Sequence, residues 1–194
     1  ICASALGDLA QVKQHLADDD YGTYTEPFSR PLDTPEKMIG TAFVYACMAG
    51  EIEVMQTLLS AGVDINTMPL GRTGLHEASE TGQLAVAKFL LENGADLSLQ
   101  DPQGFTAMHW ASWHGNIEMM DLLLENGAPL EIKQNYGGTV LDTMVWSRKE
   151  RNYPEVEYPT VIRKLMEHGA DISAVEVTTT PDEAVNAILR EYRG

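Results

Sequence analysis

Two histidines, His76 and His109, stand 33 residues apart in similar local settings, and a recurring titratable side chain is where chemistry should first be sought. Catalysis needs more than one such group: a nucleophile beside a base, a metal-ligating cluster, or a glycine-rich phosphate loop. His76-Glu77 lacks the second histidine four residues on that a zinc-binding helix requires. Asp18-Asp19-Asp20 is followed by neither the glycine nor the glutamate of a calcium loop, and reads as a solvated helix end. No glycine-rich loop follows a strand-like run. The two histidines therefore read as framework residues. The expectation is a protein that is not an enzyme, with no cofactor and no metal.

Around these histidines the chain repeats itself, and a repeat must be recognised before the fold is read. Threonines fall at Thr41, Thr73, Thr106 and Thr139, separated by 32, 33 and 33 residues. A glycine follows each of the first three by nine, at Gly50, Gly82 and Gly115, and another closes each unit at Gly62, Gly94, Gly127 and Gly169. Each threonine is placed to start a short helix, its hydroxyl capping free backbone N–H groups. The middle glycine breaks that helix and reverses the chain. A second helix carries its apolar stripe at Val54, Leu58 and Leu59, then at Val86, Leu90 and Leu91. The closing glycine provides a left-handed stop.

Thr73-Gly74-Leu75-His76-Glu77-Ala78 and Thr106-Ala107-Met108-His109-Trp110-Ala111 resemble the T-P-L-H-x-A signature of the ankyrin-repeat family. Leu90-Leu91-Glu92-Asn93-Gly94-Ala95-Asp96 resembles the ending of that family's second helix. The likeness covers about residues 1 to 175 and implies an all-α repeat. That fold is an ankyrin-repeat solenoid of helix-turn-helix units with β-hairpin fingers, about five and a half repeats long, with a concave multi-helix binding surface. It also implies that the histidine rings tie neighbouring loops together. The sequence departs from the pattern in places. Proline is absent from all four signatures, Val44 and Asp142 stand where histidine is expected, and Ile39 replaces the glycine seen at Gly104.

One domain is expected over residues 1–194, with a capping helix pair at 1–17 and four repeats over 41–172. Thr180-Pro181-Asp182-Glu183 looks like a capping box that starts a closing helix over 180–193. Two stretches break the period. A Pro-rich insertion occupies 18–40, and a second lies near 148–159, where Thr139 to Gly169 spans 30 residues against 21 in the two units before it. This second insertion and the helix after it hold Arg148, Lys149, Arg151, Arg163 and Lys164, five of the chain's 13 basic residues.

Register converts these positions into faces. In the resembled family the first helix of each unit lines the binding side, with positions four, seven and eight after the threonine pointing outward. Position four holds Tyr45, Glu77, Trp110 and Thr143; position seven holds Met48, Glu80, Trp113 and Trp146; His114 is at position eight. All three tryptophans thus fall on one expected surface. The fingers add Arg72, Phe105 and Tyr136. Exposed aromatic side chains are typical anchors of a protein partner. Tyr45, Met48, Arg72, Glu77, Glu80, Phe105, Trp110, Trp113, His114, Tyr136 and Trp146 are the candidate partner-binding residues. Glu77 and Glu80 suggest a partner with a basic segment. The expected function is a protein-protein interaction module. The alternative is a stand-alone inhibitor or immunity-type protein capping the active site of a partner enzyme.

Composition bounds these readings. Twenty-nine acidic residues against 13 Lys and Arg give a net charge of −16, which disfavours nucleic acid and anionic membrane as partners. No apolar run reaches spanning length, so membrane insertion is not expected. Cys2 and Cys47 belong to different units, whose helices pack about 8–10 Å apart, beyond the roughly 7 Å a disulfide spans. Two free thiols fit a reducing compartment, and a cytoplasmic location is expected. Because the sequence opens on Ile1 rather than Met, an exported or periplasmic location is kept as the alternative. Oligomeric state is left open.

Overall fold

The computed structural model describes residues 35–151, 153–173, 175 and 180–193. The expected capping pair at 1–17 and most of the 18–40 insertion lie outside the described residues. Nine helices occur among the described residues. They are α1 (Pro35–Ala49), α2 (Ile52–Ser60), α3 (Gly74–Thr81), α4 (Leu84–Glu92), α5 (Ala107–Trp113), α6 (Ile117–Glu125), α7 (Val140–Glu150), α8 (Tyr158–Glu167) and α9 (Glu183–Glu191). The chain is described as two compact units, residues 1–96 and 97–194. In the first, α1 packs on α2 and on α3, and α3 on α4. In the second, α5 packs on α6 and on α7, α7 on α8, and α8 on α9.

Three of the framework threonines start helices in the same way. The Thr73 hydroxyl accepts the His76 N–H at 3.3 Å, while His76 Nδ1 accepts the Thr73 N–H at 3.2 Å. Thr106 gives its N–H to His109 Nδ1 at 3.2 Å. In the fourth unit Asp142 Oδ2 takes the Thr139 N–H at 2.9 Å, and the Asp142 N–H reaches the Thr139 hydroxyl at 3.3 Å. The change from His to Asp142 therefore keeps the reciprocal box that satisfies two orphan donors at a helix start. His76 and His109 are both 1% exposed, so within each unit they serve as helix-start locks.

Thr41 behaves differently, and here the expected helix start is corrected. The helix begins at Pro35, six residues earlier, and Thr41 lies inside it with its hydroxyl donating to the Lys37 carbonyl at 2.7 Å. The reason is chemical. Val44 has no atom to accept the Thr41 N–H, so nothing interrupts the helix at Thr41. Gly40 sits within this extension because an added Cβ would meet Thr67 Oγ1 at 2.6 Å.

The second helices end alike. Gly62, Gly94, Gly127 and Gly169 adopt φ between 79° and 91°, and the next N–H of each returns to Leu58, Leu90, Leu123 or Leu165. This is the left-handed Schellman stop. The buried stripe is Val54, Met55 and Leu58, then Val86, Ala87 and Leu90, then Met119, Met120 and Leu123, then Val161, Ile162 and Leu165. Leu59 and Leu91, expected in that stripe, are only half-buried, and the residue after the first valine takes their place. Cys47 is a free, fully buried thiol packed under Gly74. Burial, reinforced by the Glu77 charge and only partly offset by a backbone hydrogen bond, pushes its pKa up to about 12.

Two further expectations change. No described residue is in a β-strand, and the fingers are tight turns. Those carrying Phe105 and Tyr136 each close through a pair of backbone bonds, Asp101 N–H to Phe105 O with Gly104 N–H to Asp101 O, and Gln134 N–H to Gly138 O with Gly137 N–H to Gln134 O. At the C-terminal end Asp182, not Thr180, caps α9, accepting the Ala184 N–H at 3.0 Å and the Val185 N–H at 3.4 Å. Thr180 is drawn away by Asn186, whose Oδ1 takes both its N–H and its hydroxyl proton. Val185, Ile188 and Leu189 form the buried side of this helix.

The helix-start box yields a direct test. Asp142→Ala should cost about 1 kcal/mol in urea unfolding, the usual value of a lost cap. Asp142→His, which restores the side chain used at His76 and His109, should stay within about 0.5 kcal/mol of the parent.

Candidate functional site

The candidate residues of the first unit form a charge cluster and two flanking side chains. Arg72, on the turn before α3, reaches Glu80 Oε2 at 2.5 Å and Glu77 Oε1 at 3.3 Å. Glu77 is only 9% exposed, although its register predicts an outward side chain. The finger of its own unit covers it. One guanidinium thus holds both carboxylates that suggested a basic partner segment. Tyr45 is half-buried, and Met48 is 41% exposed.

The second unit gathers rings. Its first turn is organised by Asp101, a residue the sequence analysis does not single out. Asp101 is 5% exposed and accepts three hydrogen bonds at 2.9 Å, from the Gln103 N–H, the Phe105 N–H and the Trp110 Nε1–H. It fixes the indole of Trp110 to the turn that carries Phe105. Phe105 then lies 5.1 Å from the His109 ring, 5.3 Å from Trp110 and 5.9 Å from Trp113, and Trp110 stacks on His114 at 6.2 Å. Of this set His114 is exposed, and Trp110 and Trp113 are half-buried.

The second insertion completes the cluster. Three of its residues, Arg148, Lys149 and Glu150, extend α7, which has 11 residues against 7 in α5. The chain then folds back so that Tyr153 packs on Trp113 at 5.6 Å and Val156 lies against Gly115. The fold-back is pinned by the Tyr158 hydroxyl, which lies 3.0 Å from Ser147 Oγ and accepts the Tyr153 N–H at 3.1 Å. Trp113 is therefore in large part a packing residue.

Position seven of α7 differs. Trp146 is 47% exposed, with the Arg151 guanidinium 5.8 Å from its ring centre. On the second turn Tyr136 is 90% exposed. Position four is covered again, since Thr143 is 5% exposed and bonds back to the Thr139 carbonyl. In this unit His114 and Trp146 face outward, whereas Thr143 at position four and Ser147 at position eight of α7 are buried. The outward aromatic set of this unit is thus His114, Tyr136 and Trp146, with one side of Trp110.

The basic stretch of the second insertion and the helix after it is mostly consumed internally. Arg148 pairs with Asp182 at 3.0 Å, Arg163 with Glu191 at 3.3 Å and Lys164 with Asp121, while Lys149 lies 3.8 Å from Glu150. The Arg148–Asp182 pair ties the end of α7 to the cap of α9. Burial opposes the Asp182 charge. The Arg148 bond and the N–H groups of Val185 and Ala184 outweigh it and hold the carboxyl below its usual range. Among the described residues no group of three His, Cys, Asp or Glu side chains could hold a metal ion, and no helix is long and apolar enough to cross a membrane.

A family model described as ankyrin repeats (three copies) matches residues 1–101 and 43–135. Among curated proteins, the chain is 34% identical over 116 residues to the tRNA endonuclease ANKZF1 of Mus musculus, covering 50% of this chain and 15% of that protein. It is 34% identical over 99 residues to the palmitoyltransferase AKR1 of Naumovozyma castellii, covering 46% and 13%. It is 39% identical over 56 residues to the Arf-GAP with ANK repeat and PH domain-containing protein cnt-1 of Caenorhabditis elegans, covering 29% and 7%. The chain thus spans at most 15% of the length of these three relatives.

The Asp182 carboxylate makes stability depend on pH in a defined direction. Its folded pKa is lowered from an ordinary value near 3.9, so folding favours the ionised form. That stabilisation is full above the ordinary value and is lost as pH falls through the folded one. Asp182→Asn retains a good cap and removes the ion pair with Arg148, so it should cost about 1 kcal/mol at pH 7. The difference in urea midpoint between parent and variant should shrink steadily as pH is lowered below the ordinary aspartate value.

Proposed function

We propose that this chain, which belongs to the ankyrin-repeat family, binds a protein partner through the outward aromatic set of its second unit. Ankyrin repeats are in general protein-interaction modules. The observation that supports the finer reading is the exposure of Trp146 and Tyr136 on a unit whose other large apolar side chains have found packing partners. An indole held 47% exposed on a helix, beside the stacked pair Trp110 and His114, offers the large rigid contact area that dominates binding energy at interfaces. The role is non-catalytic, and the burial of His76 and His109 inside helix-start locks supports this. A partner with a basic segment remains part of the reading. Its support is the net charge of −16, which attracts cations over long range, because Glu77 and Glu80 are already held by Arg72.

The alternative, an inhibitor that caps a partner enzyme's active site, draws its support from the protruding finger that carries Tyr136. The two readings separate in an activity assay of the purified partner, which only an inhibitor abolishes.

The choice of variants follows from burial. Affinity capture from the source cells identifies a partner, and its affinity for His114→Ala with Trp146→Ala is then measured. The loss should be about 30-fold or more, with the melting temperature within a few degrees of the parent. Trp113→Ala should instead lower stability by about 2 kcal/mol, because its ring is packed between Phe105 and Tyr153. Unchanged affinity in the double variant removes this surface from the proposal.

A further inference from the structure

The chain from Tyr153 to Glu157 crosses the second unit outside any helix, and its hold on that unit is slight. Two of its side chains fasten it. Tyr153 packs on Trp113 at 5.6 Å, and the buried Val156 lies against Gly115, where an added Cβ would meet Val156 Cα and Cγ1 at 3.4 Å. Pro154, Glu155 and Glu157 are exposed. Its backbone bonds are short-range, the Val156 N–H donating to Tyr153 O at 3.2 Å and the Tyr158 N–H to Val156 O at 3.0 Å. A segment with so few buried apolar contacts opens at lower free energy than the helices around it.

What closes the segment lies behind it. The hydroxyl of the buried Tyr158 accepts the Tyr153 N–H at 3.1 Å and lies 3.0 Å from Ser147 Oγ. The Arg148 guanidinium stands over the Tyr158 ring, 5.5 Å from its centre. Arg148, its side chain only 15% exposed, donates from Nε to Asp182 Oδ2 at 3.0 Å, and Asp182 caps α9. That helix is itself packed on α8, which Tyr158 begins. Contacts thus run without a break from the cap of the C-terminal helix to the ring that covers Trp113. Removing the Asp182 charge deprives a mostly buried guanidinium of that carboxylate, which is costlier than breaking an exposed pair. The side chain then turns to water and withdraws its cation from the Tyr158 ring, a contact of a kind that is strongest when desolvated.

We infer that the segment from Tyr153 to Glu157 is a releasable strap over Trp113, and that α9 sets its hold through Asp182, Arg148 and Tyr158. Arg148 is the positioning residue of this latch, since it joins the ring of Tyr158 to the cap of α9. With the strap lifted, Trp113 joins Trp110 and His114 on the outward aromatic surface, whose area then depends on how α9 is docked. That consequence rests on the binding reading above, whereas the latch itself does not.

The test reads amide hydrogen exchange of the full chain by NMR at neutral pH, over a series of low urea concentrations, and needs no partner. The Val156 N–H should exchange about tenfold faster in Asp182→Asn and about tenfold faster in Tyr158→Phe. In both, the opening should be nearly insensitive to urea, as a local release is. The double variant should give less than the product of the two factors, because both changes break one network. Arg190→Gln removes the exposed Glu183–Arg190 pair within α9 and should leave Val156 exchange at the parent rate. Unchanged exchange in Asp182→Asn, a full product in the double variant, or an equal rise in Arg190→Gln overturns the latch. So does a steep urea dependence, which marks opening of the whole unit.

Discussion

The reciprocal bond between a threonine and the third residue of the helix it begins is the constraint on which the rest depends. It fixes where α3, α5 and α7 start, and hence which residue of each turn lies under the finger and which faces out. Thr73, Thr106 and Thr139 are buried and so cannot exchange these bonds for water. A polar group buried without its partner costs more than the bond itself contributes, so the register has no cheap alternative. Outward aromatic residues at positions seven and eight are a consequence of that register.

Much of this was legible from residue types alone. Glycine has a mechanical signature, because left-handed φ excludes most other residues. The stops at Gly62, Gly94, Gly127 and Gly169 follow directly from their place after an apolar stripe. Threonine is weaker evidence, since its hydroxyl either caps a helix or bonds back within one. Thr41 shows the second outcome. Its neighbour Val44 carried the necessary signal, as a residue unable to complete the box. Asp142 carried the opposite signal, for a carboxylate accepts an N–H as readily as an imidazole nitrogen does. Thr180 lost its capping role to a residue six positions on, which no local pattern displays.

The candidate surface was legible in register and less so in exposure. Placing every tryptophan on the first helices of the units was correct as geometry of the helix, yet exposure depends on what lies above each position. Tyr153 covers Trp113, and it reaches there only because the insertion folds back through Tyr158 and Ser147. Arg72 pairs with both Glu77 and Glu80 from a turn whose path a sequence does not fix. Asp101 had a readable signal in Asp101-Pro102-Gln103-Gly104, a turn whose first carboxylate caps its own loop. Its bond to Trp110 Nε1, nine residues on, is the tertiary part that the turn alone does not reveal.

Internal pairing explains which charged features were set aside and which aromatic ones were not. A cation finds a carboxylate easily in a chain with 29 acids, and Arg72, Arg148, Arg163 and Lys164 all did. An exposed ring has no equivalent internal remedy, since covering it requires a further layer of chain. The second insertion is such a layer, and it covers Trp113 while leaving Trp146 at 47% and Tyr136 at 90% exposed. Uncovered rings on ordered backbone carry a solubility cost that the fold does not need to bear. Packing among the described residues of this unit does not offset that cost.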